Sequence, residues 1–200
     1  MNQPIMASTI KKNPLNYIKS KMIARFILEG LDKHQINLLC HEENKIEIAS
    51  VLRRREVTNE IYRRLQFLDS YLLKSLLELD LVTSKFILLY AIAKSDQLFF
   101  EFLSEIYRAA LLSEKKYISM DDFDHFFISK KETNLVVSGW SPKTVELLSK
   151  GYRKLLVDSG LGVRKIKNIH VNKLIIHPDI IRHMKRNGDY QYVQAILGER

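Results

Sequence analysis

Along the first 130 residues the apolar positions recur three and four apart, and no stretch alternates in twos, so the segment predicts consecutive helices. Asn13 and Pro14 mark a helix start, with proline at the first helical position. Tyr17, Ile18, Met22, Ile23, Phe26 and Ile27 follow at helical spacing, and Gly30 stops that helix. A short helix is expected near residues 35–41. A longer one is expected over about 46–67, with Ile48, Val51, Leu52, Tyr62 and Leu65 turned inward, and a Leu-rich one over 70–79. Residues 86–93 (FILLYAIA) are apolar nearly all round, which predicts a central core helix. Residues 98–112 continue the pattern through Phe99, Phe102, Leu103, Ile106, Tyr107 and Ala110.

The pattern then changes. Ser119 followed by Asp121 and Asp122 predicts a capped helix whose acidic first turn suits the helix dipole, and Phe123, Phe126 and Phe127 give it an apolar side. After the loop KKETNLVVSGW, Ser141 and Pro142 start a second helix that ends at Ser159, with Gly160 placed for a left-handed cap. Trp140 reads as a core anchor before it. Residues 163–176 (VRKIKNIHVNKLII) are β-branched and lack helical spacing, which predicts a two-stranded hairpin without an Asn-Gly turn. His177, Pro178 and Asp179 begin a short helix that Asn187 and Gly188 end, and a last helical piece covers 190–197. The expected fold is all-α, mainly a helical bundle over residues 1–115. A C-terminal region over 116–200 is expected to be winged-helix-like, with a small β-hairpin.

Charge sharpens this division. The chain carries +9, but residues 1–129 hold only +1 and residues 130–200 hold +8. Such a field attracts polyanions and speeds their encounter. On a helical wheel of 141–159, Val145, Leu148, Tyr152, Leu155 and Leu156 cluster on one side. Lys143, Lys150 and Lys154 fall opposite, with Arg153 beside them and Glu146 the one interruption. Helix, loop, helix and basic hairpin is the order of a winged helix-turn-helix, whose second helix enters the major groove of DNA. Arg164, Lys165, Lys167 and Lys173 would then lie along neighbouring phosphates or in the minor groove. Ser141 and Thr144 could grip a phosphate at the helix N-terminus. An ordinary solvated helix face is the plainer alternative.

Other constellations carry less. Arg53, Arg54, Arg55, Arg63 and Arg64 form a second basic cluster, but Glu56 and Glu60 lie at spacings that pair with Arg53 and Arg64. A salt-bridged face explains them, and a second nucleic-acid or partner surface stays open. Asp121, Asp122, Asp124 and His125 fit a capped helix start better than a metal site, and His177 and His183 lack the i,i+4 spacing of a helical metal pair. No catalytic residue, metal or cofactor is expected, and no GxxxxGK[ST] or GxGxxG loop occurs. The single cysteine, Cys40, excludes an internal disulfide framework and fits a reducing cytoplasm. No apolar leader core opens the sequence, and the longest apolar run falls far short of the roughly 20 residues a membrane span needs.

The stretches WSPKTVELLSKGYRKLLVDSGLG and LIIHPDIIRHMKRNGDYQYVQAILG resemble the BrxA family of bacterial BREX phage-defence systems. So do SKMIARFILEG and LRRREVTNEIYRRL nearer the N-terminus, and the likeness runs in order over nearly the whole chain. The resemblance implies a NusB-like helical bundle and a non-enzymatic component acting beside a methyltransferase, an ATPase and an alkaline-phosphatase-like protein. It also implies binding to double-stranded DNA. A protein–protein adaptor within that complex and NusB-like RNA binding are the alternatives.

Overall fold

The computed structural model describes residues 6–11 and 14–199. The five N-terminal residues read above for a leader, and Asn13, lie outside the described residues. By packing, the chain forms two compact units. One spans Leu15–Ser95, and the other joins residues 96–199 with the described part of 4–14.

The first unit is a helical bundle built around one apolar rod. Its helices are α1 (Tyr17–Leu28), α2 (Lys33–Asn37), α3 (Val51–Leu65), α4 (Ser70–Glu78) and α5 (Leu81–Ser95), and α2 runs on into a π-helical segment, Leu38–Glu42. Every residue of the 86–93 run is buried, as its all-round apolarity predicts. α1, α3 and α4 pack against α5. Local chemistry sets the helix starts. The Asp32 carboxylate accepts from the Gln35 N–H, and the Gln35 side chain accepts from the Asp32 N–H. Ser50 and Asp69 cap α3 and α4 in the same sense.

Two starts differ from expectation. α1 begins at Tyr17 after a left-handed Asn16, so Pro14 precedes the helix rather than opening it. α3 begins at Val51 rather than near 46, because Glu47 adopts φ 53 and Ser50 supplies the cap. Val51 and Leu52 therefore fall in an unpaired first turn and are exposed, not inward.

The second unit is also mainly helical. It contains α6 (Gln97–Phe102), a π-helical segment (Leu103–Tyr107), α7 (Arg108–Leu112), β1 (Tyr117–Ile118), α8 (Met120–Thr133), α9 (Leu135–Ser138), α10 (Pro142–Asp158), β2 (Gly162–Lys165), β3 (Asn168–Val171), α11 (Pro178–Arg186) and α12 (Tyr190–Leu197). The expected class, mainly α with a small β element, is observed. The sheet has one strand more than the hairpin: its antiparallel order is β1-β3-β2, with Tyr117 opposite His170 and Gly162 opposite Val171. Two residues are too short for period-2 alternation to show, so β1 left no signal in the sequence. Beyond Val171 the chain is irregular up to His177, and the expected second strand is correspondingly shorter.

Aromatic rings make the core of this unit. Phe102 stacks on Phe123 with centroids 5.1 Å apart, and Tyr152 meets Phe99 edge-on at 5.0 Å. Trp140 is only half-buried and is not part of that core. Gly151, in the middle of α10, is where the early segment crosses. A Cβ built there would lie 1.8 Å from the Ile10 carbonyl oxygen, and Ile10 is fully buried. Only glycine allows two backbones to approach so closely. No described helix is long and apolar enough to cross a membrane.

Candidate functional site

The basic face singled out from the sequence is built on α10. Ser141 caps the helix, its hydroxyl accepting from the Thr144 N–H at 3.2 Å and lying 3.1 Å from the Thr144 hydroxyl. Pro142 occupies the first turn, as expected. Leu148, Ser149, Gly151, Tyr152, Leu155 and Leu156 are buried, which turns Lys143, Lys150 and Lys154 to solvent. The predicted two-faced helix is thus observed.

That outward face is partly neutralised. Glu146 is bonded by Lys150 and, at 3.0 Å, by Lys143. Those two ammonium groups, Lys150 before Lys143, pull its carboxyl down to about 2. Lys154 reaches Asp158 at 2.9 Å. Arg153 behaves differently, because it is half-buried and held from behind. Its Nη1 donates to Met120 Sδ at 2.9 Å, and its guanidinium lies 6.0 Å from the centre of the Phe123 ring. Burial lowers its pKa first, and the like charge of Arg164 lowers it further, with Asp124 opposing. An arginine stays cationic under such a shift.

α10 and the β2–β3 hairpin enclose an open cleft of about 440 Å³. Lys150, Arg153, Lys154, Arg164 and Lys167 line it, with Asp158 as the only carboxylate and Val157 and Ile169 as apolar floor. Five of the ten residues singled out from the sequence are thus brought together. The other five are not: Ser141, Lys143 and Thr144 lie at the N-terminal end of α10, Lys165 on the outer part of β2, and Lys173 beyond β3. Lys165, Lys167 and Lys173 are exposed and make no ion pair among the described residues.

The hairpin is fixed from beneath. The Tyr107 hydroxyl, on the π-helical segment, lies 2.8 Å from the Asn172 carbonyl oxygen and 3.3 Å from that of Leu161, at the two outer ends of the hairpin. Burial pushes the Tyr107 hydroxyl pKa well up, so it remains a proton donor. Gly162 has no room for a side chain, since a Cβ would stand 2.5 Å from Ile169 Cγ2. Sequence reasoning missed Tyr107 as the brace of the hairpin and Met120 as the support of Arg153, because nothing local marks a residue that acts across 33 to 65 positions. Asp158 was legible, four residues after Lys154.

Of the second basic cluster, on α3, Arg55 is exposed, and the other four arginines are internally committed. Arg53 pairs with Glu56 and Arg64 with Glu60, each at 2.9 Å, at the spacings noted in the sequence. Arg63 also bonds Glu60 and donates to the Ser95 carbonyl oxygen at 3.0 Å. Arg54 donates to the carbonyl oxygens of Ile48, His41 and Ala49. The acidic run at 121–124 opens α8: Asp122 accepts from the Ser119 N–H at 2.7 Å and pairs with Lys115 at 3.0 Å.

Comparison with known proteins supplies a lineage. The BrxA family model matches residues 6–188. A BREX protein BrxA of Bacillus cereus (strain H3081.97) is 27% identical over 199 residues, covering 100% of both chains. The crystal structure of an uncharacterized protein from Magnetospirillum magneticum superposes with a TM-score of 0.85 at 17% identity, over 98% of this chain and 100% of that one. At that identity the likeness concerns the fold alone.

Proposed function

Because the chain belongs to the BrxA family, we propose that it is a non-enzymatic accessory protein of bacterial BREX phage defence that binds double-stranded DNA through phosphate contacts. The observation that carries this reading is the cleft in which Lys150, Arg153, Lys154, Arg164 and Lys167 converge from a helix and a hairpin. The element order fits it too. A helix, a short strand, the helices α8 and α10 with the one-turn α9 between them, and a two-stranded ribbon, with the first strand closing the sheet, follow the order of a winged helix-turn-helix apart from the added turn α9. α10 would lie in the major groove, which is wide enough for a helix, and the hairpin would follow the adjacent backbone.

The chemistry favours backbone over base. Lysine offers a point charge, whereas bidentate base reading favours Arg, Asn and Gln. Binding must first release Lys150 from Glu146 and Lys154 from Asp158, exposed pairs that water and salt screen and that yield readily to a phosphate. Each phosphate neutralised adds roughly −0.9 to the slope of log affinity against log salt, so the five cleft cations imply a slope near −4.5. In the cytoplasm the protein would act beside the system's methyltransferase, ATPase and alkaline-phosphatase-like components.

The test titrates the wild type and the combined variant Lys150→Ala, Lys154→Ala and Lys167→Ala against duplex DNA at several salt concentrations. Arg153 is left in place because it packs on Met120 and Phe123. The variant should fold, bind many sequences more weakly, and show a slope shallower by about one per lost contact. Coincident curves would reject the assignment, and so would a strong preference for structured RNA in competition.

A further inference from the structure

The tip of the β2–β3 hairpin is built against its own backbone preference. Lys165 pairs with Asn168, which leaves Ile166 and Lys167 as a two-residue loop. Ile166 adopts φ 54. A β-branched side chain is disfavoured there, and hairpin loops ordinarily place Gly, Asn or Asp at such a position. The isoleucine gains no burial in return, for it is 92% exposed. Lys165 and Lys167 flank it, both exposed and without an ion pair among the described residues. The Arg164 Nε donates to the Ile166 carbonyl oxygen at 3.4 Å and steadies the loop. Glycine or asparagine would make the same turn with less strain and less exposed apolar surface, so folding does not account for this side chain.

We propose that Ile166 is an apolar wedge that enters the minor groove of bound duplex DNA and unstacks a base step, with Lys165 and Lys167 on the phosphates to either side. The proposal rests on the duplex-binding reading above and deepens it. Isoleucine is among the side chains that open base steps in this way, kinking the duplex toward the major groove. Pyrimidine–purine steps unstack most easily, so the wedge confers a preference for TA and CA steps without any hydrogen bond to a base.

The experiment uses the full chain and a duplex that carries a fluorophore pair at its ends and 2-aminopurine at a central TA step. Wild type should shorten the end-to-end distance and raise the 2-aminopurine fluorescence, and Ile166→Leu should do the same. Ile166→Asn should lose both signals yet keep the salt slope of binding, because the flanking cations remain. Its melting temperature should equal or exceed that of wild type, which shows that the loss is not unfolding. Bending and unstacking by Ile166→Asn equal to wild type, or a wild-type complex that leaves the duplex straight and stacked, would overturn the wedge. A wild-type chain that fails to bind duplex at all would overturn the underlying reading with it. Binding to phosphatidylserine vesicles that depends on Ile166, with no effect of Ile166→Asn on DNA, would reassign the tip to a membrane surface.

Discussion

Replacing Gly151 by alanine sets two effects of opposite sign against each other. Gly151 lies within α10, where alanine is favoured over glycine by about 1 kcal/mol through backbone entropy alone. The added Cβ, however, would stand 1.8 Å from the Ile10 carbonyl oxygen, 2.7 Å from its carbonyl carbon and 3.2 Å from Lys11 Cα. These are backbone atoms, so no rotamer change relieves the overlap, and the segment must move by more than roughly 1 Å. Moving it lifts Ile10 off the unit, and a fully buried isoleucine contributes about 1.5–3 kcal/mol. Forced overpacking costs about 1–3 kcal/mol on its own scale. The steric cost exceeds the helix gain, and Gly151→Ala should lose about 2 kcal/mol net, which for a chain of 200 residues lowers the melting temperature by about 4–8 °C. Calorimetry or circular dichroism reads this directly. A melting temperature equal to or above that of wild type would show that the crossing of residues 9–11 over α10 is wrong.

Two fully buried tyrosines of the second unit, Tyr107 and Tyr152, should respond in opposite ways. Tyr107→Phe removes the hydroxyl that joins the ends of the hairpin and should cost about 1–2 kcal/mol in urea unfolding, with faster amide exchange in β2 and β3. The Tyr152 hydroxyl is buried with no hydrogen-bond partner among the described residues, so Tyr152→Phe should be neutral or stabilising by about 1 kcal/mol in the same assay. Glu146→Gln should release Lys143 and Lys150, tighten duplex binding and steepen its salt slope by up to about one or two. The Glu146 carboxyl should titrate by NMR near 2 rather than 4.5. Because its pKa is depressed on folding, its small stabilising effect is complete above about pH 4.5 and is lost as pH falls toward 2.

What the sequence disclosed and what it hid follow from the range of the interactions involved. α5 and α10 were legible because each carries its message in its own periodicity: one apolar all round, the other apolar on one side and cationic on the other. The ion pairs of α3 and the cap at Ser119 were legible because they join residues three or four apart. The convergence of α10 with the hairpin was expected from element order, and the structure brings half of the named residues to it. The rest was hidden by distance along the chain. β1 pairs with residues 51 and 53 positions later, Arg153 rests on a methionine 33 positions earlier, and Gly151 answers to a backbone 141 positions away. The wheel also showed charge without showing its neutralisation by Glu146 and Asp158 in space.

The interleaving of the two units has a consequence for synthesis. Ile10 emerges from the ribosome long before Gly151, and at about 5–20 residues per second the interval is roughly 7–28 s. Throughout that time an apolar segment lacks its docking partner, while residues 15–95 already possess every contact of their own bundle. The first unit can therefore condense on the nascent chain, and the second can close only once both of its distant pieces exist. β1 waits in the same way for β3, so the pairing that extends the hairpin into a three-stranded sheet also forms late. Emergence of the later pieces, rather than the appearance of helices, then times the maturation of the basic surface.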